Sequence, residues 1–220
     1  MEYKLSEDIK QRCPEYRGIA VLAQVQNTEH NDELWTEIDH FIEEYRCCYT
    51  TESIKQMPAI LATREAYKRC GKDPSRYRPS GEALVRRTLK GGDLYRISTL
   101  VDLINLASIA YGYSISGLDA DHIQGATLTL GVGREDEPYE GIGRGELNIA
   151  GMPVWRDEIG GIATPTSDNE RTKISLSTNN LLIIVNAYDG NLQQAQACAE
   201  YMQQLLQKYA QSDGGEIVVI

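Results

Sequence analysis

The run LLIIVNAY, at 181–188, admits few structural solutions. Five aliphatic residues stand in a row, three of them β-branched, so no polar face is left for water. Such a stretch suits a central strand, covered above and below. GIAVLAQVQN (18–27) is also rich in β-formers and reads as a buried strand. ATLTLGVG (126–133) alternates as a strand does, and the closing EIVVI adds a last one.

Between these runs the period changes to that of helices. At 32–46, Asn31 is placed to cap, and Leu34, Ile38, Phe41, Ile42 and Tyr45 share a face. Residues 58–70 have proline in the first turn, Lys68 and Arg69 in the last, and Gly71 as a stop. A helix is expected at about 81–90. Another begins near Thr99, which with Asp102 resembles a capping box, and stops at Gly112. Asn191 opens a final helix, 192–209. GREDEPYEGIGRGELNIAGMPVW reads as short strands joined by glycine turns. Helices and strands are interspersed without the alternation of a doubly wound sheet. The expectation is one α+β domain over 1–220, with a mixed or antiparallel sheet covered by helices.

Several functional classes find no support. No phosphate-binding G-x-x-x-x-G-K-[ST] loop occurs, and GIGRGE stops short of G-x-G-x-x-G. GYSIS lacks the second glycine of a hydrolase elbow. His40 with Glu43 or Glu44 has helical spacing, but three histidines in the chain make a poor basis for a metal site, and no metal or cofactor is expected. The N-terminus does not read as a signal peptide, and no stretch approaches about 18 apolar residues in a row. Five scattered cysteines read as reduced, mostly packed thiols. A cytoplasmic location is expected.

Charge is unevenly spread. The chain carries −10, yet 76–96 holds six cations against two anions. Arg78, Arg86, Arg87, Lys90 and Arg96 belong to that cluster. Screening limits the reach of distant charges to about 8 Å, so a local basic footprint survives on an acidic chain.

The stretch RPSGEALVRRTLKGGDLYRISTLVDLINLASIAYGYSISGLDADHIQG (78–125) resembles the B-three/B-four domain of the phenylalanyl-tRNA synthetase β subunit, and more closely its free-standing versions. A basic helix is followed by Arg96, then Val101-Asp102-Leu103 and Asn105, a glycine stop at Gly112, and a loop bearing Asp119, Asp121 and Ile123. Arg171, Thr172 and Lys173 match an R-T-K signature of the free-standing members. The resemblance is strongest over 76–130 and 168–190 and weaker elsewhere. It implies β-sandwich character and a cleft for the aminoacylated acceptor end of tRNA, where the synthetase domain hydrolyses tyrosine wrongly attached to tRNA for phenylalanine. No synthetase catalytic core is present, so the implied activity is deacylation in trans.

The resemblance puts Ser116, Asn105 and Asp119 near the pocket, and gives Arg78, Arg86, Arg87, Lys90, Arg96, Arg171 and Lys173 to RNA. Ser116 stands where the editing enzymes carry a histidine, in a segment read as a loop. Their tyrosine-reading glutamate has no clear counterpart near 159–171, so tyrosine specificity is not carried over. Other readings of the same residues stay open. Glu82 and Arg86 have the spacing of a surface ion pair worth about 0.3–0.5 kcal/mol. Asp102 reads as a helix cap, Arg96 as an anchor for it, and Asp119 as a turn residue. Two alternative functions remain: a non-catalytic RNA- or partner-binding domain, and a pocket for a free amino acid or related metabolite.

Overall fold

The computed structural model describes residues 1–220. The aliphatic run becomes β9 (Asn180–Ala187), an inner strand of an antiparallel sheet. It lies between β2 (Arg17–Gln24) and β3 (Ser114–Asp119), and β10 (Glu216–Val219) adds on outside β2. Alternation explains why 181–185 carries no polar residue. Leu181, Ile183, Val185 and Ala187 enter the larger core, while Leu182 and Ile184 enter a second core on the other face.

The larger core is covered by α2 (Asp32–Cys48), α5 (Thr99–Tyr111) and α6 (Leu192–Tyr209). The second core lies against another sheet, ordered β1 (Glu2–Leu5), β4 (Thr127–Val132), β7 (Pro153–Arg156), β8 (Gly161–Ala163). Here β1 and β4 are parallel and the other pairs antiparallel, so the sheet is mixed. The fold is α+β with two packed sheets, as expected. Asn186 pins the sheets together: Tyr16 Oη and Trp155 Nε1 both donate to its Oδ1, at 3.0 and 3.1 Å. A buried amide satisfied in this way fixes the register of the two layers.

The remaining elements are α1 (Glu7–Arg12), α3 (Pro58–Cys70), α4 (Ser80–Leu89) and a small hairpin, β5 (Glu140–Gly141) with β6 (Gly145–Glu146). The caps at Asn31 and Asn191 form, accepting from Leu34 N at 2.9 Å and Gln194 N at 3.0 Å. Gly71 and Gly112 both take positive φ at helix ends. No helix is long and apolar enough to cross a membrane.

Three local expectations are corrected. β1 and α1 were not foreseen, because four and six residues are too few to show a period. The segment carrying Ser116 is a strand, not a loop: Ser116 pairs with Ile184 of β9. Thr99 and Asp102 form no capping box; Ser98 is the cap residue, and the Asp102 carboxylate accepts from Ile97 N at 3.0 Å and Trp35 Nε1 at 2.8 Å. The cysteines are mostly packed, as expected: Cys13, Cys70 and Cys198 are buried, and Cys47 and Cys48 are exposed.

Candidate functional site

Close backbone packing opens the site. An added Cβ on Gly81 would sit 2.6 Å from the carbonyl oxygen of Tyr113, so only glycine lets α4 start directly against β3. Gly81 N also donates to Ser114 Oγ at 3.2 Å. This brings Ser80 and Leu84 of α4 over the β3 edge, opposite Val101, Ile104 and Asn105 of α5. Loops at 164–168 and 173–174 close the remaining walls. The open-mouthed cavity measures about 340 Å³, near the lower end of pockets that take small organic ligands.

Its lining divides by chemistry. Leu84, Ile97, Val101, Ile104, Ile115 and Ile174 make an apolar wall. Asp168, Lys173, Asn105 and Ser80 supply polar groups. The Asn105 amide and the Ser80 hydroxyl make no hydrogen bond within the chain, which leaves both free toward a ligand. Gly117 forms part of the floor, where a Cβ would clash with Ile104 Cδ1 and meet Ile174 Cδ1 at 2.9 Å.

Asp168 is the most perturbed group in this cavity. Its Oδ2 accepts from Gly117 N at 3.1 Å. Burial raises its pKa to about 7, and the hydrogen bonds from Gly117 N and the Ser116 hydroxyl only partly oppose that rise. A carboxyl that titrates near neutral pH can take a proton from water at physiological pH. Sequence reading passed over Asp168. The available signal was an acidic residue within 159–171, where a glutamate in a glycine-rich run was sought.

The expected pocket residues separate. Asn105 lines the cavity. Ser116 is buried behind it, against Asp168, and does not line it. Asp119 is a turn residue: its Oδ1 accepts from Asp121 N at 3.1 Å and its Oδ2 from Thr178 Oγ1 at 2.7 Å.

The cations of the basic stretch divide among separate partners and do not make one edge of free charge. Glu82 is 2% exposed. It takes Arg64 at 2.8 Å, Arg86 at 3.0 Å and Arg78 at 3.5 Å. The expected surface pair is thus a buried hub, because α4 lays its Glu82 face against α3. Arg171 holds Asp157 with two bonds of 2.9 Å. Lys173 lines the cavity but its ammonium contacts Glu170 at 2.5 Å. Arg96 lies 4.4 Å over the Trp35 ring instead of anchoring Asp102. Arg87 stacks on Tyr95 at 4.1 Å. Of the seven expected RNA-binding cations, Lys90 alone has no ion pair, hydrogen bond or ring contact. No group of three or more His, Cys, Asp or Glu side chains is arranged to hold a metal.

Comparison with known proteins adds a family to this geometry. Among solved structures, an N-terminal fragment of the phenylalanyl-tRNA synthetase beta-subunit from Pyrococcus horikoshii is similar to 98% of this chain and 50% of the fragment, at 13% identity and a TM-score of 0.49. The chain therefore spans about half that fragment's length. No curated protein matches by sequence. A model of the B3/4 domain matches residues 62–211. That span takes in α4, α5, β3 and the loops carrying Asp168 and Lys173, every element that walls the cavity, and the chain belongs to the B3/4 domain family.

Proposed function

We propose that the cavity receives the amino acid at the aminoacylated acceptor end of tRNA and that the protein hydrolyses the mischarged ester. One observation carries this reading: a half-buried carboxylate of near-neutral pKa faces a small apolar pocket whose Asn105 and Ser80 groups are uncommitted. Membership in the B3/4 family makes tRNA the partner to test first.

The chemistry needs no covalent nucleophile. Asp168 takes a proton from a water, whose oxygen attacks the ester carbonyl carbon. The carbonyl electron pair moves onto its oxygen, where Asn105 and the Lys173 ammonium supply donors. Collapse breaks the bond to the ribose oxygen, which leaves with the proton held by Asp168. The apolar wall receives the amino-acid side chain, and the cavity volume restricts which one fits. Ser116 acts through Asp168 by steadying its charged form. The decisive experiment presents a panel of mischarged tRNAs. Release of amino acid above background, lost in Asp168→Asn, supports the reading; the absence of release from every ester rejects it.

A second reading, a pocket for a free amino acid or related metabolite, is favoured by the internal pairing of Arg78, Arg86 and Arg171, which leaves little free cationic surface for phosphates. Under that reading, free amino acids raise the melting temperature with little dependence on salt, and tRNA does not. RNA binding without turnover would instead mark a non-catalytic module.

A further inference from the structure

The 90–98 segment is fastened at several points yet leaves Tyr95, Arg96 and Ile97 exposed. Leu94 is buried in the larger core, Arg96 lies over Trp35, and Ile97 N is held by Asp102. Tyr95 and Ile97 are 67% and 55% exposed. Ile97 lines the cavity, and its exposure puts it at the mouth. Tyr95, two residues before it, lies within about 7 Å of chain from that mouth.

Arg87 arrives at the same place from α4. Ser80, Leu84 and Arg87 follow i, i+4, i+7 spacing and so share one helix face. The first two line the cavity, and the third follows on the same face about one turn further along α4. The Arg87 Nε donates to the carbonyl of Asp93, and the guanidinium covers one face of the Tyr95 ring at 4.1 Å. The terminal nitrogens of Arg87, the Tyr95 hydroxyl and the other ring face have no partner in the chain. Folding does not require a tyrosine so exposed to be held so firmly. Such a group has the properties of a stacking surface with a phosphate donor alongside.

We infer that the Arg87–Tyr95 pair is a platform for a single-stranded RNA end: the terminal base stacks on the free Tyr95 face, the neighbouring phosphate meets the Arg87 terminal nitrogens, and the ribose is left at the cavity mouth. This rests on the reading of the cavity as an ester site and names the part of the substrate that the cavity itself does not hold. A base has a π-face whatever its identity, so the platform tolerates sequence and the cavity supplies selectivity.

Titration of the full chain with the trinucleotide CpCpA, and separately with adenosine 5′-monophosphate, tests the inference. Tyr95→Ala is expected to weaken trinucleotide binding by about tenfold or more, and Tyr95→Trp to retain it. Arg87→Met is expected to weaken binding and lower the salt slope by about one. Melting temperatures should be unchanged in the Tyr95 variants, whose side chain is exposed. Trinucleotide binding within twofold of wild type in Tyr95→Ala, or no binding by wild type, overturns the inference. A mononucleotide that binds as tightly as the trinucleotide, and as dependently on Tyr95, overturns the assignment to an RNA end. The ester reading is tested separately by Asp168→Asn on mischarged tRNA. Trinucleotide binding through Tyr95 without hydrolysis would leave the platform standing and remove the deacylase.

Discussion

Two carboxylates show how one molecule uses the same group in opposite ways. Glu82 is buried with three arginines gathered on it. Asp168 is half-buried with a backbone amide and a serine hydroxyl as its donors. A buried charge must be matched or its pKa moves. Glu82 is matched by cations and serves as a joint between α3 and α4. Asp168 is matched only in part, and its pKa rises to about 7. The difference separates a structural acid from one suited to proton transfer.

Removing Glu82 should have the largest effect. Glu82→Ala leaves three guanidinium groups without their shared partner, and a loss of about 3–5 kcal/mol is expected. Thermal or denaturant unfolding measures it, and a loss below about 1 kcal/mol would show that solvent already screens the hub. Second, Asp168→Asn should slow ester hydrolysis by about a hundredfold or more while the fold is retained. For wild type, kcat/KM corrected for spontaneous hydrolysis should rise with pH through about 7 and then level. A profile flat from pH 5 to 8 would place the proton transfer elsewhere.

Stability should sharpen the same contrast. A carboxyl with a higher pKa folded than unfolded favours folding fully below its unfolded value, and loses that contribution as pH rises through the folded value. Asp168 should therefore destabilise the protein increasingly from about pH 4 to pH 7. Asp168→Asn should raise stability at pH 8 by about 1–2 kcal/mol, allowing for solvent in the cavity, and change little at pH 4. Equal melting shifts at both pH values would break the comparison. The smallest effect belongs to Lys173→Met. Its pair with Glu170 is largely exposed, so stability should move by less than about 0.5 kcal/mol. If Lys173 assists the carbonyl oxygen, hydrolysis should fall well beyond that amount.

Much of the scaffold was legible because its signals are local. β9 announces itself by five aliphatic residues, and α3 by proline at one end and glycine at the other. Asn105 was reached through its motif. Asp168 was not, because nothing around it in the chain marks it; its environment comes from Gly117 and Ser116, about fifty residues away. The basic stretch misled for the same reason. Counting charges along the chain cannot show that Arg64, from another helix, joins Arg78 and Arg86 on one buried glutamate.

The sequence by itself determined the longer helices and the aliphatic strand β9, the caps at Asn31 and Asn191, and the family pattern from Arg96 to Ile123, since these depend on neighbours a few residues apart. Only the tertiary structure decided which charged groups are spent on one another and which are left facing the cavity. Desolvation and ion pairing depend on distances in space, and those were set when α4 packed against β3 and α3.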